Sequence, residues 1–109
     1  MFSLQGKRVL LTGAAGGLGV GIARAMAAQG ATLVLSGTRQ EALETLAQEL
    51  KNAHVELCRL DDPQDVATLV ARAHEKMGGL DILVNNAGIT RDGLAMRMKD
   101  EDFSAVLDV

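Results

Sequence analysis

Residues 8–19 read RVLLTGAAGGLG, a short apolar run that leads directly into a glycine-rich turn. An unbroken apolar run of this length is typical of a strand that is buried on both faces. Beyond the turn, apolar residues recur at the spacing of one helix face as far as Gly30, where a glycine can end the helix. These residues are Leu18, Ile22, Ala25 and Met26. The stretch therefore predicts a strand, a tight turn and a helix.

The next segment repeats this pattern. Residues 32–36 (TLVLS) have the composition of a second buried strand. Thr38, followed three residues later by Glu41, forms a capping box that predicts the start of a second helix. The apolar stripe of that helix consists of Leu43, Leu46, Ala47 and Leu50.

A third strand and helix follow. Residues 54–60 are more polar than the earlier strands, which favours a position at or near a sheet edge. Asp62 is suited to cap the next helix, with Pro63 at its first position. The stripe predicted for this helix consists of Val66, Leu69, Val70, Ala73 and Met77.

Residues 81–85 (DILVN) predict a fourth strand, and residues 100–102 predict the start of a final helix with Phe103, Val106 and Leu107 on its apolar side. Strands that alternate with helices indicate an α/β fold with a parallel sheet, right-handed crossovers and helices on both faces. We expect strand order 3-2-1-4, the N-terminal half of a doubly wound sheet, with the outer edge of the fourth strand lacking its neighbours. Residues 1–109 would then form a single, partial dinucleotide-binding domain of a longer chain.

Composition narrows the function classes. The chain has 11 basic and 14 acidic residues, a net charge of −3 and 2% aromatic residues, which argues against binding to nucleic acid. It has no apolar run long enough to cross a membrane, and its first residues do not resemble a signal peptide, so we expect a cytoplasmic protein with no membrane partner. One cysteine and two histidines without ligand spacing argue against a metal site.

The glycine-rich turn lies between the first strand and its helix. Backbone N–H groups and the positive end of a helix dipole can hold a pyrophosphate at such a position. The spacing T-G-x-x-x-G-x-G differs from the common G-x-G-x-x-G fingerprint. Close packing of the helix on the strand is an alternative explanation for the glycines, but the turn's place within a strand–helix–strand unit favours nucleotide binding.

The end of the second strand selects between nicotinamide cofactors. An acidic residue there binds the ribose 2′-hydroxyl of NAD, whereas a basic residue suits the 2′-phosphate of NADP. The sequence has Ser36-Gly37-Thr38-Arg39 at this point and no carboxylate. A charge-assisted bond from Arg39 to phosphate contributes about 1.5–3 kcal/mol, enough to set a preference for NADP(H). Alternatively, Arg39 is a solvated residue in the first turn of the next helix.

The fourth strand ends in Asn85-Asn86-Ala87-Gly88, at the sheet edge where doubly wound folds bind their ligands. Asparagine amides both donate and accept hydrogen bonds, so they can tie this strand end to its neighbour and reach a ribose. The small Ala87 and Gly88 leave space for a ring. An ordinary polar turn is the alternative interpretation.

Three motifs together resemble the short-chain dehydrogenase/reductase family: TGAAGGLG (12–19), DILVNNAG (81–88) and ITRDGLAMRMKDEDF (89–103). The third is especially similar to bacterial 3-oxoacyl-(acyl-carrier-protein) reductases. The resemblance implies a Rossmann-type fold, NADPH as hydride donor, reduction of a 3-oxoacyl-(acyl-carrier-protein) thioester in fatty-acid synthesis, and a homotetramer for the full enzyme.

The resemblance also implies a set of cofactor-binding positions. The pyrophosphate would lie along the turn, the 2′-phosphate at the end of the second strand, the adenine after the third strand and the nicotinamide ribose after the fourth. In that order, the residues are Gly13, Ala15, Gly16, Gly17, Leu18 and Gly19; Thr38 and Arg39; Leu60 and Asp61; and Asn86, Ala87 and Gly88.

This sequence departs from the family pattern at two of its positions. Gly16 stands where many relatives have a basic residue, so Arg39 would hold the phosphate without that help. Arg59 stands where the family usually has the Asp or Asn that binds the adenine amino group. Adenine recognition would then depend on the backbone of Leu60 and the carboxylate of Asp61.

The family's catalytic set is an Asn, a Ser and a Tyr-x-x-x-Lys pair, and no member of this set is found in the 109 residues, which include no Tyr. We therefore expect this chain alone to be inactive and, at most, to bind cofactor. Two other functions stay open: reduction of another carbonyl substrate, such as acetoacetyl-CoA or a sugar, and a non-catalytic NADP-binding or assembly module.

Overall fold

Strands and helices alternate along most of the chain. The computed structural model describes residues 3–59 and 62–86, together with the backbone of residues 95–98 and 105–108. In chain order the elements are β1 (Arg8–Leu11), α1 (Gly17–Ala28), β2 (Thr32–Gly37), α2 (Gln40–Leu50), β3 (Ala53–Leu57), α3 (Pro63–Met77), β4 (Ile82–Asn85), β5 (Ala95–Met98) and β6 (Ala105–Asp108).

Within these residues the strands form one sheet in the order β3-β2-β1-β4-β5-β6. The first four strands run parallel, with Leu10 of β1 aligned with Val34 of β2 and with Leu83 of β4. β3 lies at the edge of the sheet, paired only with β2 among the described strands. The predicted order 3-2-1-4 with flanking helices, a Rossmann-type arrangement, is therefore confirmed.

The parallel strands separate two apolar layers. Side chains alternate between the two faces of a strand, and Val9 and Leu11 accordingly pack with residues of α1 and α2, whereas Leu10 packs with residues of α3. All three are fully buried. Burial on both faces explains why these strands read as unbroken apolar runs.

The ends of α3 agree with the sequence signals. The Asp62 carboxylate accepts hydrogen bonds from the backbone N–H groups of Gln64 (3.0 Å) and Asp65 (3.4 Å), and Pro63 occupies the first helical position. Gly78 ends the helix in the left-handed conformation, with a φ of 75°. Both devices satisfy backbone groups that a helix end leaves unpaired.

The start of α2 differs from the prediction. The helix begins at Gln40 with Arg39 as its N-cap, and no side chain caps it, so the capping box of Thr38 and Glu41 is wrong. Thr38 lies one residue too early for its hydroxyl to reach the first N–H groups. Glu41 nevertheless lies in the first turn, where a negative charge favours the helix dipole.

The buried faces of the helices are narrower than the apolar periodicity predicts. Leu18, Val66 and Val70 are exposed to 58%, 39% and 44%. In α1 the buried residues are Gly19, Ala23 and Met26, because the two small residues let the helix approach the sheet closely. No described helix is long and apolar enough to cross a membrane.

The region after β4 also corrects the prediction. β5 pairs antiparallel with β4, and β6 pairs antiparallel with β5, so the outer edge of β4 has a neighbour and residues 105–108 form a strand rather than part of a helix. The remaining residues of the expected helix, 100–104, lie outside the described residues. An open strand edge presents unpaired N–H and C=O groups, which an antiparallel partner satisfies through a short connection.

Candidate functional site

A cavity of about 230 Å³ opens at the carboxyl ends of β1, β2 and β3. Doubly wound sheets bind their ligands at this edge. The cavity is lined by residues of the glycine-rich turn, of the end of β2 and of the segment after β3: Thr12, Gly13, Ala15, Gly16, Ser36, Gly37, Thr38, Arg39 and Cys58.

The glycine-rich turn brings the N-terminus of α1 to the cavity. Gly13 adopts a φ of 63°, a left-handed conformation that favours glycine. The N-cap is Gly16, with no side-chain cap hydrogen bond, and the first turn contains no acidic residue. The first N–H groups of α1 are thus not engaged by a capping side chain, which is the arrangement that binds phosphate groups in other proteins.

The glycines of the turn have different roles. A Cβ atom at Gly19 would collide with the carbonyl oxygen of Gly13 and lie 2.9 Å from the Nδ2 atom of Asn86, so this glycine is required for helix packing. A Cβ atom at Gly17 would meet nothing within 4 Å. The packing explanation therefore holds for Gly19, whereas Gly17 leaves open space at the start of the helix.

Two asparagines at the end of β4 form hydrogen bonds with the glycine-rich turn. Asn86 is buried, and its Nδ2 group donates a 3.0 Å hydrogen bond to the carbonyl of Gly13. The hydroxyl of Thr12 donates to Asn85 Oδ1 at 3.2 Å. The prediction that these asparagines tie the strand end to its neighbour is thus confirmed. Ala87 and Gly88 lie outside the described residues.

Arg39 reaches across the cavity. Its Nη2 group donates a 3.0 Å hydrogen bond to the carbonyl of Ala15 in the glycine-rich turn. It is the one charged residue among the described residues that line the cavity. Although Arg39 is exposed and caps α2 through its backbone, its side chain therefore faces the turn, and its guanidinium makes this end of the cavity positive.

Cys58 closes the cavity on the β3 side. Its side chain is 2% exposed and packs with Leu10, Val34 and Leu69, while its backbone N–H donates to the carbonyl of Gly37 at 3.0 Å. Burial raises the pKa of the Cys58 thiol, and the nearby carboxylate of Asp65 raises it further. The thiol is thus a neutral, apolar part of the wall.

Sequence reasoning located part of this site. Of the proposed binding positions, the cavity brings together Gly13, Ala15, Gly16, Thr38 and Arg39. Leu60 and Asp61 lie outside the described residues. The lining residues that were missed are Thr12, Ser36, Gly37 and Cys58. Each lies at or just after the end of a parallel strand, which is the signal that could have identified them.

The comparisons with known proteins agree with this architecture. Residues 7–109 match the family described as short chain dehydrogenase. Nodulation protein G of Rhizobium sp. (strain N33) is 51% identical over 111 residues, covering 100% of this chain and 45% of that protein. The 3-oxoacyl-(acyl-carrier-protein) reductase of Rickettsia conorii is 46% identical over 110 residues, covering 100% of this chain and 44% of that protein. This chain spans less than half the length of both relatives.

Solved structures share the fold. The 3-ketoacyl-(acyl-carrier-protein) reductase from Brucella melitensis, complexed with NADH, is similar with a TM-score of 0.70 and 35% identity over 74% of this chain and 34% of that chain. Hydroxysteroid dehydrogenase from Escherichia coli is similar with a TM-score of 0.72 and 33% identity, over 76% of this chain and 36% of that chain. Because the family match extends over nearly its whole length, the chain belongs to the short-chain dehydrogenase family.

Proposed function

We propose that this chain is the cofactor-binding part of an NADP(H)-dependent oxidoreductase that reduces 3-oxoacyl-(acyl-carrier-protein) to the 3-hydroxyacyl thioester in cytoplasmic fatty-acid synthesis. One observation carries the proposal: the N-terminus of α1 and the guanidinium of Arg39 meet at one cavity, at the carboxyl ends of the parallel strands. Both groups favour anions, and both belong to residues that line the same cavity, as a cofactor with separate phosphates requires.

The residues present suit this cofactor. Gly13, Ala15 and residues 16–19 would hold the pyrophosphate through backbone N–H groups, and Arg39 with Thr38 would hold the 2′-phosphate. The described residues that line the cavity include no Asp or Glu whose carboxylate would repel the 2′-phosphate. When bound, NADPH supplies the hydride, whereas this chain binds and orients the nucleotide. Asn86, Ala87 and Gly88 would lie nearest the nicotinamide ribose, and Leu60 and Asp61 nearest the adenine.

The substrate is proposed from the relatives. Reductases named for 3-oxoacyl-(acyl-carrier-protein) are up to 46% identical to this chain among those compared, and one similar structure carries NADH. A homotetramer is proposed for the whole protein from the family resemblance of its motifs. This chain contains no Tyr, and we propose that the proton donor of such a reaction belongs to residues outside it. The domain formed by residues 1–109 is accordingly proposed to be one part of the enzyme and inactive alone.

A reductase for another carbonyl substrate is the second candidate. The 51% identity to nodulation protein G and the structural likeness to a hydroxysteroid dehydrogenase favour it. The cofactor site would be the same in both cases, because either substrate would lie beyond the nicotinamide and away from Arg39.

The test is cofactor oxidation by the full-length protein with defined substrates. Acetoacetyl-(acyl-carrier-protein), acetoacetyl-CoA and a 3-oxosteroid would be compared, each with NADPH and NADH. We expect the highest kcat/KM with the carrier-protein thioester and NADPH. Oxidation of NADPH with the steroid but with neither thioester would favour the second candidate. If the protein bound neither NADPH nor NADH, the proposed cofactor site would be refuted.

A further inference from the structure

A cluster of charged side chains lies where α3 meets the end of β3, next to the residue Cys58 that lines the cavity. Its centre is Arg72 of α3, whose side chain is 32% exposed. The cluster includes Glu56 of β3 and Asp65 in the first turn of α3, whose side chains are 16% and 30% exposed. None of the three lines the cavity, so their role in cofactor binding would have to be indirect.

The guanidinium of Arg72 is fully engaged. Its Nη1 group donates to the Glu56 carboxylate (2.7 Å) and to the carbonyl of Leu57 (3.0 Å). Its Nη2 group donates to the carboxylate (2.8 Å) and the carbonyl (3.2 Å) of Asp65. Its Nε group donates to the hydroxyl of Thr68 at 3.3 Å. These five bonds match the five N–H donors of an arginine, a set that a lysine cannot reproduce.

These bonds fix the backbone on both sides of Cys58. On one side, Arg72 holds the carbonyl of Leu57 directly. On the other, the second carboxylate oxygen of Asp65 accepts a 2.8 Å hydrogen bond from the backbone N–H of Arg59, and Arg72 holds that same carboxylate. The N–H of Cys58 itself is paired with Gly37 of β2. The main chain that carries this wall is thus held from α3 as well as from the sheet.

We infer that Arg72 is a positioning residue for the adenosine end of the cofactor, acting through Leu57, Asp65 and Arg59 to set the position of the Cys58 wall. This inference rests on the proposed function, and it adds a residue of α3 that does not itself line the cavity. Without Arg72, the segment after β3 would still be attached to β2 through Cys58 and to Asp65 through Arg59, but the carbonyl of Leu57 would lose its bond to α3 and the Asp65 carboxylate would no longer be held in place by Arg72. A shift of that wall changes the fit of the adenosine while leaving the hydride-transfer end unchanged.

The test compares Arg72→Met with Lys76→Met in the full-length protein. Lys76 lies one turn later on α3 and contacts only the Glu56 carboxylate of this cluster, at 3.7 Å, so its variant removes a cation without freeing Leu57 or Asp65. We expect Arg72→Met to weaken the binding of adenosine 2′,5′-bisphosphate and to raise the KM for NADPH by about tenfold. Its kcat should stay within about twofold of wild type. Lys76→Met should leave the KM for NADPH and kcat within about twofold of wild type. Arg72→Lys should recover part of the lost affinity for NADPH.

A purely structural role for Arg72 predicts a different result. It would lower kcat together with the folded fraction and would leave the KM for NADPH unchanged, and that outcome would overturn the inference. Asp65→Ala provides a second variant if Arg72→Met does not fold, because it frees the N–H of Arg59 while Arg72 retains Glu56 and Leu57; the inference requires the same selective rise in KM. Normal adenosine bisphosphate binding by that variant would also overturn it. Wild-type protein that binds no NADPH would refute the proposed function itself.

Discussion

The guanidinium of Arg39 lies 3.0 Å from the carbonyl oxygen of Ala15, joining the N-cap of α2 to the turn after β1. This contact places a positive charge between two adjacent strand ends. The same contact that holds the turn therefore keeps Arg39 at the carboxyl edge of the sheet, where we propose that the 2′-phosphate binds.

Replacing this charge tests the cofactor preference. We expect Arg39→Asp to lower the affinity for NADPH by about 10- to 100-fold. A charge-assisted hydrogen bond to the phosphate is lost, and the new carboxylate repels the negatively charged phosphate. NADH should become the better cofactor, since a carboxylate at this position can bind a ribose hydroxyl. Isothermal titration with both nucleotides measures the change. Arg24→Asp on the exposed side of α1 is the control and should retain the NADPH preference; unchanged NADPH affinity in Arg39→Asp would remove this residue from the phosphate site.

Two glycines of the turn should respond differently to alanine. Gly→Ala within a helix ordinarily stabilises a protein by about 0.5–1 kcal/mol. Gly19→Ala is expected to do the opposite and cost about 1–3 kcal/mol, because its Cβ atom meets backbone atoms of the turn. Gly17→Ala, with nothing within 4 Å, should not destabilise the fold. Urea unfolding of the two variants gives the comparison, and equal stabilities would show that the turn can shift to admit a methyl group.

The ion pair between Arg8 and Asp81 should make stability depend on pH. Arg8 Nε lies 3.0 Å from Asp81 Oδ2, and this hydrogen bond holds the pKa of Asp81 below the 3.8 of an ordinary aspartate. A carboxyl whose pKa is lowered by folding stabilises the native state above its unfolded pKa and loses that contribution as the pH falls through the folded pKa. The advantage of wild type over Asp81→Asn in unfolding free energy should therefore shrink below about pH 4. A difference that stays constant down to acid pH would contradict the pairing.

Cys58 offers a readout of occupancy. Because the thiol is 2% exposed and its pKa is raised by burial, we expect alkylation by iodoacetamide at neutral pH to be much slower than for a free thiol. NADP⁺ should slow it further by covering the cavity that this residue lines. Since the chain has one cysteine, the mass of the corresponding peptide reports the reaction directly. Alkylation at the same rate with and without saturating NADP⁺ would place the nucleotide elsewhere.

The sequence predicted the parallel part of the fold because burial on both faces leaves a clear pattern. Val9, Leu10 and Leu11 are apolar for that reason, and Asp62 with Pro63 identified the start of α3. Periodicity identified Met26 of the buried stripe of α1 but not Gly19, and it wrongly included the exposed Leu18. The distance between a helix and a sheet depends on the smallest residues of the helix. Such residues contribute little to an apolar pattern because they are only weakly hydrophobic.

The candidate site was predicted where backbone geometry determines it and missed where tertiary contacts do. The glycine-rich turn and Arg39 follow from their places at strand ends. The role of Cys58 as a wall, and the support of its backbone by Arg72 and Asp65, depend on side chains that meet across α3 and β3. Sequence spacing alone does not reveal such contacts, because they join residues that belong to different elements.

The carbonyl oxygen of Gly13 accepts hydrogen bonds from the N–H of Gly16 and from the side-chain amide of Asn86. A single oxygen atom thus connects the loop that would grip the diphosphate with the strand end that would face the reactive ring. On the proposed cofactor placement, binding of the diphosphate and alignment of the nicotinamide would be coupled through this oxygen atom, and we expect substitution of Asn86 to weaken both.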